Sequence, residues 1–188
     1  MQKSLTLFCL VSGLAGTLSA CATFTRFAQV TRPLVEPVQR SNSEALTQAL
    51  HITWQGETHQ LLGVLEMTPG NTAMAVFTPE GLKLFSLVHN ATGLTVDRHQ
   101  LLPTFVDPRR ILADAQLVNW PLPELVSQLP APWRVEEEGL TRRLWCRQKL
   151  ISEAVFQGSI SSWETVELKS PGGDFQLMIQ PLRREIFN

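Results

Sequence analysis

The sequence predicts a mainly β fold of the α+β class: a curled antiparallel half-barrel of about ten or eleven strands with a helical lid. Three observations predict it. From Ala49 onward apolar and polar residues alternate with a period of two, turn residues separate these runs at hairpin spacing, and one segment between Asp107 and Leu129 changes to a helical period. Because parallel strands need long crossover connections, runs at hairpin spacing indicate an antiparallel sheet.

The first half of the sheet begins where Leu50, Ile52 and Trp54 alternate with polar residues. Turns rich in glycine and proline follow at short intervals. The pattern predicts five strands: one from residue 49 onward, and then 58–68, 72–78, 82–90 and 94–98.

Two helices interrupt the strands. Asp107 is a favourable N-cap, Pro108 suits the first helical turn, and an apolar face formed by Ile111, Leu112, Ala115 and Val118 follows. Prolines 121 and 123 end this helix, and prolines 130 and 132 end a second short helix at residues 124–129.

Five more strands are predicted after the helices, at residues 133–138, 140–148, 150–157, 163–170 and 175–180. A single curled sheet of this size has a concave apolar face that its own side chains need not fill. A helical insertion with one apolar face can cover the opening. The pattern therefore predicts a pocket for apolar ligands between the sheet and the helices.

The N-terminus has the features of a bacterial lipoprotein signal. Lys3 supplies a positive charge, residues 5–18 are largely apolar, and Leu18-Ser19-Ala20-Cys21 resembles a lipobox. The apolar stretch is too short for a comfortable membrane span, and an ordinary secretory signal with an incidental cysteine is the alternative. We predict a cleaved signal at residues 1–20, a lipidated Cys21 with a tether at residues 21–47, and a folded domain at residues 48–188.

The anchor would hold the protein on a membrane through acyl chains, because two or three chains give stable attachment. Ala22 is not the aspartate that resembles an inner-membrane retention signal, which implies the periplasmic face of the outer membrane. Cys9 would leave with the signal, and Cys146 would remain as a single thiol without an internal partner.

Composition and motifs exclude several classes of protein. A net charge of −1 with 44% hydrophobic and 18% charged residues is typical neither of a disordered tail nor of a nucleic-acid binder. Phosphate loops, paired CxxC, HExxH and GxSxG motifs are lacking, so we expect neither an enzyme nor a metal or other cofactor. The four histidines (51, 59, 89 and 99), the arginine pairs (109–110, 142–143 and 183–184) and the glutamates at 136–138 are interpreted as solvent-facing.

Three segments resemble the outer-membrane lipoprotein receptor LolB and its wider LolA/LolB-like superfamily. They are the Pro79-Glu80-Gly81 turn between two strands, the Pro121-Leu122-Pro123 helix start, and the Pro171-Gly172-Gly173 turn of the closing hairpin. The resemblance implies a half-barrel with a lid, an acylated ligand, and a LolA-like periplasmic carrier as partner. In that family an apolar residue lies between the proline and the glycine of the first turn, where this chain has Glu80. The chain is also similar to lipoproteins associated with export of aryl-polyene-type lipids.

The predicted ligand site combines one face of the helices with one face of the strands. The assignment of one strand face as concave follows only from the alternation of apolar and polar residues. An error of one residue in the register would exchange the two faces. Its residues are Trp54, Leu65, Met74, Val76, Leu84, Ile111, Leu112, Ala115, Val118, Trp120, Leu122 and Leu125, with Leu50, Ile52, Leu61, Val88, Val126 and Leu129 beside them.

Two functions remain open from the sequence. The first is a carrier or receptor that binds an acylated lipid in the cavity. The second is a lipoprotein that scaffolds an envelope or export assembly with a filled, rigid domain. A continuous apolar pocket favours the first function, and a filled core favours the second.

Overall fold

The computed structural model describes residues 31–37, 42–54, 56–103, 106–171 and 175–187. Within them the chain forms two helices and ten strands. The ten strands make one sheet in which all neighbouring strands are antiparallel. In chain order the elements are β1 (Ser43–Trp54), β2 (Glu57–Thr68), β3 (Asn71–Phe77), β4 (Lys83–Asn90), β5 (Gly93–Arg98), α1 (Pro108–Asn119), α2 (Leu122–Gln128), β6 (Trp133–Glu138), β7 (Thr141–Cys146), β8 (Lys149–Gly158), β9 (Trp163–Lys169) and β10 (Phe175–Phe187).

The sheet consists of two five-stranded meanders joined by the pairing of β1 with β10. The strand order is β5-β4-β3-β2-β1-β10-β9-β8-β7-β6, so β5 and β6 lie at opposite edges. The chain must therefore cross a whole face of the sheet between them, and the two helices form this crossing. Helix α1 contacts β4 from one meander and β7 and β8 from the other, which requires the sheet to curl around it. The predicted curled antiparallel sheet with a helical insertion is confirmed.

Local sequence accounts for both ends of α1. The Asp107 side chain accepts a hydrogen bond from the Arg109 N–H at 3.0 Å, and Pro108 occupies the first turn. The helix ends at Asn119, where Trp120 takes an extended backbone before Pro121. Helix α2 begins two residues earlier than predicted, because Pro121 precedes it as the cap and Pro123 is accommodated in its first turn. In the described part of the chain, no helix is long and apolar enough to cross a membrane.

Helix α1 lies inside the curl and is buried on nearly every side. Every residue from Leu112 to Val118 is buried, including the polar Asp114 and Gln116. Rows of inward side chains cross the sheet to meet it, and one such row joins Leu46, Leu65, Met74 and Leu87 on four neighbouring strands. The helix therefore fills the concave side of the sheet with the chain's own side chains.

The inward face of β4 differs from the predicted one. Phe85, Leu87 and His89 are buried there, whereas Val88 is exposed. Both alternating sets contain apolar residues, so the pattern alone does not separate them. Leu84 falls at a β-bulge and packs half-buried against the core. The interpretation of His89 as solvent-facing is wrong.

The chain before β1 also departs from the prediction. β1 begins at Ser43, inside the segment predicted as tether. Residues 31–37 lie against α1, with Arg32 also contacting the Ile151 carbonyl of β8, and we call them the N-terminal strap. Arg32, Val35 and Pro37 of the strap are buried, so this part of the predicted tether belongs to the folded domain.

Candidate ligand-binding site

Most residues predicted to line a cavity instead pack against one another in the core. This holds for Leu65, Met74, Val76, Leu112, Ala115 and Leu125, and Ile111 and Leu122 lie half-buried against them. Val126 is exposed. The side chain of Trp54 and the whole of Cys21 lie outside the described residues. Val118 and Trp120 are the two predicted residues that line the pocket described next.

A pocket of about 600 Å³ lies at the C-terminal end of α1, and we call it the α1-end pocket. Its floor is the last turn of α1 and the following Trp120 and Pro121. One wall comes from the β6–β7 turn and another from the β8–β9 loop. Its lining residues are Glu44, Val118, Asn119, Trp120, Pro121, Glu137, Gly139, Leu140, Arg142, Ser159, Ile160, Ser161, Trp163 and Arg184.

The pocket exists because the sheet separates between β9 and β10. These strands pair only where Gln176–Ile179 of β10 meets Val166–Lys169 of β9. Beyond Ile179, β10 continues along β1 through a β-bulge at Leu182, which has no partner between Pro181, opposite Gln48, and Arg183, opposite Thr47. Because proline has no N–H to donate and bulges bend a strand, this position suits a change of direction. The gap that results is bounded by Arg184 on one side and Ser161 on the other.

Arg142 is the principal polar group of the pocket wall and is 2% exposed. Its guanidinium donates to Glu137 at 2.6 Å, to the Leu117 carbonyl at 2.7 Å and to the Trp120 carbonyl at 2.9 Å. It also lies 5.6 Å from the centre of the Phe156 ring. A cation at this place satisfies carbonyls at the C-terminal end of α1 and complements the helix dipole. The interpretation of Arg142 as surface charge is wrong.

A second ion pair lies on the opposite side of the pocket. Arg184 of β10 donates through Nε to Glu44 of β1 at 3.0 Å. The pocket therefore has a mixed lining between two neutralised arginine–glutamate pairs. Its accessible apolar part is Leu140 and Ile160, and Val118, Trp120 and Trp163 are buried beside it. This combination suits an amphiphilic molecule, whose apolar part can enter while its polar group stays near the ion pairs.

The N-terminal strap is held to α1 by buried polar contacts. Arg32 forms an ion pair with Asp114, and both side chains are almost fully buried. The side-chain amide of Gln116 donates to the Val35 carbonyl at 2.7 Å and accepts from the Val35 N–H at 3.0 Å. These contacts explain why two polar residues are buried inside α1.

The turn between β3 and β4 lies apart from the α1-end pocket. Its Gly81 adopts a positive φ of 89°, and the Gly81 N–H donates to the Thr78 carbonyl at 2.9 Å. A hydrogen bond with the Thr78 side chain lowers the pKa of Glu80, so its carboxylate is charged at neutral pH. Leu82 is exposed in this turn and is not the first residue of β4, which begins at Lys83. A charged carboxylate at the tip opposes entry of this turn into a bilayer.

Several pocket residues escaped the sequence analysis. Arg142 shares a strand face with the buried Leu144, and this alternation is the one signal that could have placed it inward. Glu44 and Arg184 lie far apart in sequence, and the pairing of β1 with β10 brings them together. Among the residues the structure describes, no group of three or more His, Cys, Asp or Glu side chains could hold a metal ion.

Comparison with known proteins places the chain in a family. The structure defines a class of domain in which a curled antiparallel sheet surrounds a central helix and a pocket lies at one end of that helix. The family described as "Protein of unknown function (DUF3261)" matches residues 45–183, and the chain belongs to this family. No curated protein matches the chain.

One solved structure with similarity to the chain is a domain from Vibrio parahaemolyticus whose description assigns it to outer membrane lipoprotein sorting. The two share 8% sequence identity and superpose with a TM-score of 0.37, over 77% of this chain and 85% of that chain. The fold class given above rests on the strands and helices of this chain and not on that similarity.

Proposed function

We propose that the protein is a lipoprotein of the cell envelope that binds or transfers an acylated or otherwise apolar lipid in the α1-end pocket. The observation that carries this proposal is the pocket itself, which combines a volume of about 600 Å³ with a mixed polar and apolar lining between two arginine–glutamate pairs. The volume lies in the range of roughly 300–1,000 Å³ that is typical of ligand pockets. The proposal is for binding and transfer, and assigns the chain no catalytic step.

Burial of acyl methylene groups would supply the affinity. Each buried CH₂ group contributes about 0.8 kcal/mol, so a part of one acyl chain is enough for measurable binding. The accessible apolar surface is that of Leu140 and Ile160, whereas Trp120 and Trp163 are buried and present little surface of their own to the pocket. Glu44, Glu137, Arg142 and Arg184 would face the polar group of the ligand.

The lipoprotein part of the proposal rests on the lipobox at Cys21, with the outer membrane as location and a LolA-like periplasmic carrier as partner. In cells we expect Cys21→Ser to remove the single thiol that the lipobox can acylate. The variant should move from the membrane pellet to the soluble fraction, measured after salt and carbonate washes. Retention of the variant in the washed membranes would contradict the lipid anchor.

A structural lipoprotein that scaffolds an envelope or export assembly is the second candidate. The observation that favours it is the filled concave side, where Leu112, Ala115 and Trp120 occupy the space that a carrier of the half-barrel type would leave for its cargo. This function does not require the α1-end pocket to hold a ligand.

Mass spectrometry of lipids that co-purify with the protein separates the two functions. We expect a defined lipid with the wild-type protein and its loss with Ser161→Trp, which places a large ring in the pocket. The matched control is Ala91→Trp, in the exposed turn between β4 and β5. If wild type and both variants carry the same trace lipids, the carrier function is wrong and the scaffold function is favoured.

A further inference from the structure

The α1-end pocket carries charged side chains on the inward face of the sheet. Arg142 lies two residues before the buried Leu144 on β7, and Glu137 of β6 lies opposite Arg142. Arg184 of β10 lies opposite the buried Leu46 of β1. Because paired residues and residues two apart share a face of a sheet, these charged side chains lie on the inward face, where they line the pocket from two different strand pairs.

On the β6–β7 side of the pocket, the carboxylate is the accessible partner of the ion pair. The Arg142 side chain is 3% exposed, whereas the Glu137 side chain is 25% exposed. Nε and Nη2 of Arg142 both donate to Oε2 of Glu137, at 2.9 and 2.6 Å, and Nη1 donates to the two carbonyls described above. Every nitrogen of this guanidinium is therefore engaged, while Oε1 of Glu137 accepts no hydrogen bond from the described residues. This side offers a ligand a negative charge with an unused acceptor.

On the β10 side, the cation is the accessible partner. The Glu44 side chain is 16% exposed, whereas the Arg184 side chain is 35% exposed. Arg184 pairs with Glu44 through Nε, and its Nη1 lies 3.4 Å from the Ser161 carbonyl, which is long for a hydrogen bond. Within the described part of the chain, its Nη2 has no partner. This side therefore offers a ligand a positive charge with N–H donors.

We propose that the ligand of the α1-end pocket is a zwitterionic lipid, whose head group joins an anionic phosphate to a primary ammonium. The phosphate accepts hydrogen bonds from Arg184, and the ammonium donates to Oε1 of Glu137. The first part of an acyl chain lies against the accessible apolar surface of Leu140 and Ile160. The inference rests on the function proposed above and adds to it the chemical class of the ligand.

Other head groups match the two accessible charges less well. A head group with negative charge alone can pair with Arg184, but it brings a like charge near Glu137. A quaternary ammonium has no N–H to donate to Glu137, and proteins bind such groups against aromatic faces. Trp120 and Trp163, the tryptophans of the pocket, are buried and present little surface for this purpose. The lining therefore favours a primary ammonium beside an anionic group.

Titration calorimetry of the lipid-free full-length protein with short-chain phospholipids tests the head group. The probes are dihexanoyl phosphatidylethanolamine, dihexanoyl phosphatidylglycerol and dihexanoyl phosphatidylcholine, which share their acyl chains and differ only in the head group. We expect phosphatidylethanolamine to bind about tenfold more tightly than either of the others, because it alone can pair with both Glu137 and Arg184. Free phosphoethanolamine, which lacks acyl chains, should bind about a hundredfold more weakly than the lipid.

One pair of variants tests the ammonium subsite. Glu137→Gln keeps an acceptor for Arg142 but removes the negative charge, so the preference for phosphatidylethanolamine over phosphatidylglycerol should fall about tenfold. The matched control is Glu138→Gln, at the next position of β6. Because Glu138 pairs with Arg143 outside the pocket, this variant should keep the wild-type preference.

A second pair of variants tests the phosphate subsite. Arg184→Gln should weaken the binding of both phosphatidylethanolamine and phosphatidylglycerol about tenfold and leave their ratio unchanged, because both lipids carry the phosphate. The matched control is Arg183→Gln. Arg183 pairs with Glu185 and does not line the pocket, so this variant should bind both lipids as the wild type does.

Four results would overturn the proposal. Equal affinities for the three lipids, or an unchanged preference in folded Glu137→Gln, would show that the ammonium is not recognised, and the lipid function proposed above would stand. Equal binding of free phosphoethanolamine and the lipid would show a site for a soluble zwitterion. Absence of binding by all three lipids would contradict both this inference and the proposed function.

Discussion

Gln116 and Val35 are joined by two hydrogen bonds, from the Gln116 amide nitrogen to the Val35 carbonyl at 2.7 Å and from the Val35 N–H to the Gln116 amide oxygen at 3.0 Å. The Gln116 side chain of α1 thus makes the two backbone hydrogen bonds that a neighbouring strand would otherwise make with the N-terminal strap. Since both residues are almost fully buried, neither backbone group of Val35 has water as an alternative partner.

Replacement of this glutamine should therefore destabilise the whole domain. Gln116→Leu keeps a similar volume but leaves the N–H and C=O of Val35 buried and unpaired. We expect the free energy of unfolding to fall by roughly 2–4 kcal/mol, measured by urea denaturation. The control is Gln128→Leu, which removes one bond from the Glu36 N–H at the surface and should cost less than about 1 kcal/mol. Equal effects of the two variants would show that the strap is not anchored through Gln116.

Arg142 should be the most important charged residue for the stability of the pocket wall. Arg142→Met leaves Glu137 without its ion pair and two carbonyls at the end of α1 without a donor. Because Glu137 is partly exposed, most of the cost comes from the two buried carbonyls left without a donor, and we expect a loss of roughly 2–4 kcal/mol in the free energy of unfolding.

The neighbouring Arg143 provides the matched control for Arg142. It pairs with Glu138 and Glu153 on the other face of β7, closer to solvent, so Arg143→Met should have a much smaller effect in the same urea titration. A loss for Arg143→Met as large as that for Arg142→Met would contradict the inward placement of Arg142.

His89 should make stability depend on pH. Burial lowers the pKa of this imidazole below its usual value of 6.5, with Glu36 opposing the shift and Arg109 adding to it. The unfolded chain then binds more protons than the folded chain between the two pKa values. The stabilisation that the neutral His89 imidazole contributes is therefore fully present above pH 6.5. It is lost as the pH falls towards the pKa of His89 in the folded chain.

The measurement is a series of urea titrations between neutral and mildly acidic pH. We expect the free energy of unfolding to fall more steeply for the wild type than for His89→Gln, which cannot gain a charge. Since the carboxylates contribute equally to both proteins, the difference in slope belongs to His89. Parallel pH profiles for the two proteins would show that His89 is protonated equally in the folded and unfolded states.

Much of the fold could be predicted from local sequence, because each element carries its own signal. Alternation and turn residues placed all ten strands, and Asp107, Pro108 and Pro121 gave the start and end of α1. β4 shows the limit of this reasoning. Phe85 and Leu87 on one face and Leu84 and Val88 on the other are similarly apolar, so contact with α1 decides which set is buried.

The α1-end pocket could not be predicted, since it depends on where two strands separate. β9 and β10 separate beyond Ile179, and the gap between them is lined by Glu44, Arg142 and Arg184. These residues belong to strands far apart in sequence. The strap escaped detection for a similar reason. Its prolines are typical of a tether, and only its contacts with Asp114 and Gln116 show that it is part of the folded domain.

Equilibrium titration of the lipid-free protein with a fluorescent fatty acid tests the central proposal most directly. Two exposed leucines provide a matched pair of variants. Leu140 is 45% exposed and lines the α1-end pocket, whereas Leu101 is 65% exposed and lies outside it. We expect saturable binding by the wild type, unchanged binding by Leu101→Asp, and binding weakened at least about tenfold by Leu140→Asp, because a charge beside the acyl chain must be desolvated. Circular dichroism establishes that both variants are folded. Absence of saturable binding by the wild type, or equal binding by folded Leu140→Asp, would contradict the assignment of this pocket as a lipid site.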